Sequence, residues 1–165
     1  MKFTKSIAAY IVGATLAVGA AGIIMNNATA TNIGNEGCTP GYWKNHTEDW
    51  QEYASTDLLD AQFDFPAALA GMRDDTFLEA LSYPGGPGIE GGARILMRAA
   101  VASFLNAAHE GVGFPLRRFA EPGMMLDAVN TALAGTRNDM TGLATYLDGQ
   151  NNLGSGTIEH CQTAS

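Results

Sequence analysis

The stretch Ala93–Glu110, ARILMRAAVASFLNAAHE, decides the fold. Wound as an α-helix it places Ile95, Leu96, Met97, Val101, Phe104 and Leu105 on every face rather than on one stripe. A helix that is apolar all round belongs inside its domain, so this run is expected to form a buried central helix. Arg94 and Arg98, one turn apart, mark its one polar edge. It is too short, and too charged at its start, to cross a bilayer.

The flanks read as helices punctuated by glycine and proline. Immediately before the central run, PGGPGIEGG (Pro84 to Gly92) holds five glycines and two prolines in nine residues. This composition predicts a loop that turns sharply or approaches another backbone closely. Further upstream, Asp74-Asp75-Thr76 opens a helix with Phe77, Leu78 and Leu81 as its apolar face and Pro84 as its stop. Thr56-Asp57 is suited to cap a short segment through Leu58, Leu59 and Phe63, which Pro66 ends or redirects. Downstream, GVGFPLRRF breaks the chain and Glu121-Pro122 is expected to open a helix bearing Met125, Leu126, Val129 and Leu133, closed by Gly135. A last helix from about Asn138 to Leu147 would lead into a loop, DGQNNLGSGTIEHC, that ends at Cys161. With no alternating run of useful length, the fold class is all-α: a compact helical domain with a buried central helix, long ordered loops and one disulfide.

Residues 1–30 have the form of a secretory signal. Lys2 and Lys5 are followed by an uncharged run from Ile7 to Met25, and Ala28-Thr29-Ala30 offers the small-x-small site a signal peptidase cuts. The expected organisation is therefore a signal peptide, 1–30, and a single all-α secreted domain, 31–165. The rival is a retained membrane anchor. Loss of the leader leaves seven Lys and Arg against seventeen Asp and Glu, a net charge of −10. So acidic a domain is a poor partner for nucleic acid, and after cleavage for a membrane surface, since both call for basic patches. Its basic cluster is Arg117-Arg118.

The chain has two cysteines, Cys38 and Cys161. In an oxidising compartment they most simply form one bridge tying the two ends of the domain together. Closing so long a loop stabilises a fold by roughly 4 to 5 kcal/mol on the chain-entropy view. The rival, a reactive or metal-binding thiol pair, lacks C-x-x-C spacing.

Cys38 lies in GCTPGYWKNH, residues 37–46, where turn formers, two large aromatics, a cation, an amide and an imidazole crowd together. CTPGYWKNH, followed by AVASFLNAAH, AVNTAL and LATYLDGQNN ahead of a final cysteine, resembles a group of secreted bacterial and archaeal proteins and surface-protein modules. That group is built around a Cys-Thr-x-Gly-aromatic-Trp-Lys-Asn-His signature. The resemblance runs from Cys38 to Cys161 and implies extracellular residence without implying an activity; the signal alone also admits the periplasm. Cys161 stands farther from Asn151-Asn152 than the last cysteine of that pattern does.

Candidate chemistry gathers on a few residues. His46, His109 and His160 are the three histidines. A Cys38–Cys161 bridge would bring His160 towards His46, and three imidazoles, with Glu110, suit zinc and an activated water. No H-x-x-x-H or H-E-x-x-H pair reinforces this. Asp148 and Glu159 have the spacing of the first and twelfth positions of a calcium loop, with Gln150 and Asn152 between, but Leu153 occupies the place of its required glycine. Ser55 and Ser103 lack the G-x-S-x-G elbow of a hydrolase. Tyr42, Trp43, Trp50 and Tyr53 could form a stacking face, with Lys44, Asn45 and His46 as polar neighbours; the preferred reading is that Trp43 and Trp50 are buried against the central helix and fasten an irregular N-terminal segment to the core. Asn45-His46-Thr47 is also an N-glycosylation sequon.

Two functions follow as expectations. The favoured one is a secreted, non-enzymatic structural or interaction protein of the cell surface or extracellular matrix. It would need no cofactor and would bind protein, glycan or further copies of itself. The alternative is a secreted metal-binding protein or zinc hydrolase built on His46, His109 and His160.

Overall fold

A computed structural model describes residues 34–119, 124–154 and 161. Residues 1–30, read as a signal peptide, and Glu121-Pro122, Glu159 and His160 lie outside the described residues. Five α-helices are present among the described residues: α1 (Pro40–Asn45), α2 (Phe77–Ala80), α3 (Gly88–Ala108), α4 (Met125–Ala134) and α5 (Arg137–Asn151). Three 3₁₀ segments, Thr47–Asp49, Leu59–Ala61 and Ala67–Met72, carry the chain between α1 and α2. No described residue lies in a strand; one antiparallel bridge joins Leu58 to Thr76. The domain is all-α.

Helix α3 is the axis of the domain. It packs chiefly along α5, and also against α1, α2 and α4. From Leu96 to Ala108 it is buried almost without interruption, with Leu96, Met97, Ala100, Val101, Ala102 and Phe104 fully enclosed. A helix can be apolar on every side only if other elements cover every side, and short helices and ordered loops do so here. One such cover is aromatic. Phe63 packs edge-on against Phe104 at 4.9 Å between ring centroids, and Phe77 joins Phe63 at 6.0 Å. Offset and edge-on pairs of this kind add to the burial of the rings themselves.

The helix starts correspond to sequence signals in part. Thr76 and Thr136 each close a capping box, with Glu79 and Asp139 at the third helical position. Their hydroxyls accept backbone N–H groups while the carboxylates reach back to the cap residue, so orphan donors at both helix starts are satisfied. The cap expected of Thr56-Asp57 does not form a helix start. Asp57 Oδ2 instead accepts Ala54 N–H at 2.8 Å, and the segment after it makes only the 3₁₀ turn Leu59–Ala61.

Two boundaries correct the sequence reading. The glycine-rich run is not loop throughout: α3 already begins at Gly88, whose φ of 68° suits glycine. The glycines are in the helix because of packing. A Cβ on Gly91 would lie 2.1 Å from the Gly86 carbonyl oxygen, and one on Gly92 would lie 2.9 Å from the Arg137 side chain. Close backbone approach outweighs poor helix propensity here. At the other end α5 runs on to Asn151, so Asp148 sits in helix, its carbonyl accepting the Asn152 N–H at 3.1 Å. The first residues of the supposed calcium loop are therefore wound as helix, while its last residue, Glu159, lies outside the described residues.

Candidate functional site

Where α1, the C-terminal half of α3 and the end of α5 meet, the chain closes on itself. Thr39 Oγ1 accepts the Tyr42 N–H at 3.1 Å and Pro40 takes the first helical position, so the six residues of α1 are capped despite their shortness. Cys38, just before this cap, is bonded to Cys161 with 5.2 Å between the Cα atoms, a closure spanning 123 residues. The disulfide expected from the two cysteines is thus present, and it excludes a free thiol pair.

The disulfide is embedded in a buried polar network. Asn106 Oδ1 accepts the Cys38 N–H at 2.7 Å and the Trp43 indole N–H at 3.1 Å. Its Nδ2 donates to the Cys38 carbonyl and to Asn151 Oδ1, both at 2.9 Å. All four hydrogen-bonding positions of one fully buried amide are therefore used. Asn151 Oδ1 also accepts from the Ser103 hydroxyl, and Asn151 Nδ2 donates to the Ala99 carbonyl, each at 2.9 Å. Gly37 completes the closure. Its N–H donates to the Leu153 carbonyl at 2.6 Å, and a Cβ there would fall 2.2 Å from the Gln150 carbonyl oxygen. A buried polar group left unbonded costs about 1 to 3 kcal/mol, so this network holds only as a complete set.

Of the two expected anchors, Trp43 is buried, 1% exposed, and Trp50 is buried only in part, with its indole N–H on the Trp43 carbonyl at 2.9 Å. Tyr42 is buried and its hydroxyl donates to Asp49 Oδ2 at 2.6 Å. Burial, and then the bond to Asp49, push its phenol well above the ordinary value of 10.0. With their rings turned inward, Tyr42 and Trp43 offer no stacking face to a sugar. Tyr53 is covered from another side: Arg118 donates to its hydroxyl at 2.9 Å and lies over its ring at 5.4 Å. The same guanidinium holds both carboxylate oxygens of Glu52 at 2.9 Å, and Glu52 adopts a φ of 64°. Arg118 is thereby occupied within the fold, while Arg117 is exposed.

The histidines flank this aromatic group. His46 stacks on Tyr42 at 4.5 Å between centroids and contacts Glu48 at 3.3 Å, while His109 lies 5.7 Å from Trp43 and its Nδ1 accepts the Gly111 N–H at 3.0 Å. Among the described residues no three of His, Cys, Asp and Glu converge as a metal-binding group. His160 lies outside the described residues. Lys44 and Asn45 are exposed, on the outer side of α1.

Asn106, Asn151 and Ser103 are the residues of this site to which the sequence assigned no role. One signal was available for Asn106: a lone amide inside an otherwise apolar helix must find partners. Nothing local identified those partners, which come from 45 and 68 residues away. No protein-family model matches the chain, and comparison with curated proteins and with solved structures gives no match.

Proposed function

We propose that the chain is a secreted, non-enzymatic structural or interaction protein of the cell surface or extracellular matrix, of the signature group that it resembles. One observation carries this reading. Two signature residues, Cys38 and Trp43, are bonded in the interior to Asn106 of the central helix, which with Ser103 and Asn151 holds the chain closed, while Lys44 and Asn45 stay at the surface. A domain stapled by a long-range disulfide suits an oxidising compartment outside the cytosol. No described helix is long and apolar enough to cross a membrane. With the groups of this network satisfied by one another, the domain has its outer surface left for contact with protein, glycan or further copies of itself.

The metal-binding alternative rests on the placement of His46 and His109 beside the Tyr42–Trp43 pair, with Cys161, the neighbour of His160, bonded to Cys38. Elemental analysis of the protein from its native medium separates the two readings. The favoured reading expects metal-free folded protein. Stoichiometric zinc or iron that is lost in both His46→Ala and His109→Ala would overturn it. Electron microscopy of the same material tests assembly, where monomers alone at high concentration would remove self-association.

A further inference from the structure

We propose that Asn45 is an N-glycan acceptor. Asn45-His46-Thr47 has the asparagine and the hydroxyl residue that transfer requires, with no proline between them. The fold presents these groups outward. Tyr42 and Trp43 of α1 are buried, whereas Gly41, Lys44 and Asn45 are exposed, as are Thr47 and Glu48 beyond the helix end. His46, with φ −129° and ψ 60°, ends α1 and separates Asn45 from the 3₁₀ turn that Thr47 begins, so the sequon occupies a surface bend. Asn45 has no part in the buried network; its Nδ2 donates to the Gly41 carbonyl at 3.0 Å at the surface.

The chemistry fits that placement. In transfer from a lipid-linked sugar phosphate, Nδ2 attacks the anomeric carbon, an N–C bond forms, the bond from that carbon to phosphate oxygen breaks, and the lipid phosphate departs. One Nδ2 proton passes to a base and no oxidation or reduction occurs. The amide keeps its second N–H, which is the one bond Asn45 needs to retain its contact with Gly41. A glycan there extends into solvent beside the clasp formed by the Cys38–Cys161 bond and the Asn106 network, and displaces no buried side chain. The inference rests on the proposed secretion, because such transfer occurs on the non-cytosolic side of a membrane, where the Cys38–Cys161 bond also forms. A second N-x-T, Asn27-Ala28-Thr29, falls within the expected leader.

The test uses protein recovered from the source organism's medium or surface. Trypsin cuts after Lys44, and the peptide from Asn45 to Arg73 is weighed. The expected result is a series of sugar-sized mass additions on Asn45, abolished in Thr47→Ala and retained in Thr47→Ser. Thr47 is exposed, so both variants should keep the parent near-UV circular dichroism. An unmodified Asn45 in exported, disulfide-closed protein would overturn the glycan inference and leave the secretion reading standing. Bare Asn45 in protein confined to the cytosol with reduced cysteines would overturn both.

Discussion

The two ends of α3 are secured by different means. At its C-terminal end a disulfide, two buried asparagines and a tryptophan make directed bonds whose donors and acceptors are matched in full. At its N-terminal end the backbone itself is the packing surface. Gly91 lies against Gly86 and Gly92 against Arg137, and the polar contacts are peripheral ones, such as the exposed Glu90–Arg94 pair. That end even leaves the buried Arg94 Nε without a partner among the described residues. Directed networks fail as a unit when one member is removed. Close backbone contacts fail when an atom is added. The two ends should therefore respond to opposite kinds of substitution.

The largest effect is expected at the clasp. Replacing Cys38 and Cys161 together by alanine releases a closure of 123 residues, with an expected loss of roughly 4 to 5 kcal/mol. Thermal unfolding should report this as a drop on the order of 15 °C in Tm. A shift of a degree or two would mean that the polar network secures this end without the covalent bond.

A methyl group at the glycine end should cost less than release of the disulfide. In Gly91→Ala the new Cβ meets backbone rather than a movable side chain, so a loss of about 2 to 3 kcal/mol is expected. Gly142→Ala, on α5 with nothing near its Cβ position, is the internal control. It should stabilise the protein by about 0.5 to 1 kcal/mol, because alanine favours helix. Denaturant titration of both variants checks the sign of each change; equal effects would break the contrast between the two glycines.

The smallest effects belong to the helix caps, which serve both ends equally. Thr76→Ala and Thr136→Ala should each cost about 1 kcal/mol. The Thr76 backbone N–H, and then its hydroxyl, hold the Glu79 carboxyl below its ordinary 4.5. The Thr136 hydroxyl, and then its backbone N–H, hold Asp139 below 3.8. A carboxyl with a lowered folded-state value stabilises the fold above its unfolded-state value, and that contribution is lost as the pH falls through the folded-state value. The gap between parent and cap variants should thus be full at neutral pH and shrink under strongly acidic conditions. Unfolding curves taken across that range check it, and a gap that widened on acidification would contradict the capping-box account.

These contrasts also explain what the sequence revealed. Helix α3 was legible because apolar residues on every face admit one placement, inside. Cys38–Cys161, the inward Trp43 and the start at Thr76 followed from compartment chemistry, side-chain area and capping pattern, each of which needs only local information. The helical state of Gly88–Gly92 was not legible, because it depends on Gly86 and Arg137 arriving at those positions in space. The extension of α5 to Asn151 was hidden for the same reason: its last side chain is drawn into the core by Asn106 and Ser103, 45 and 48 residues away. In the candidate site, the cysteines and aromatics could be named from the sequence. The amides that join them could not be assigned partners.

The central claim is that the signature builds a clasp rather than a reactive centre, and thermal unfolding of two variants tests it most directly. Asn106→Ala strands the Cys38 N–H and carbonyl and the Trp43 indole N–H in a buried space. It should lower stability by about 3 to 5 kcal/mol, a fall in Tm on the order of 10 to 15 °C. The combined variant Lys44→Ala and Asn45→Ala, which alters the outer side of the same stretch, should melt within about 2 to 3 °C of the parent, as surface changes do. An Asn106→Ala protein as stable as the parent, or a double variant as destabilised as Asn106→Ala, would contradict the clasp.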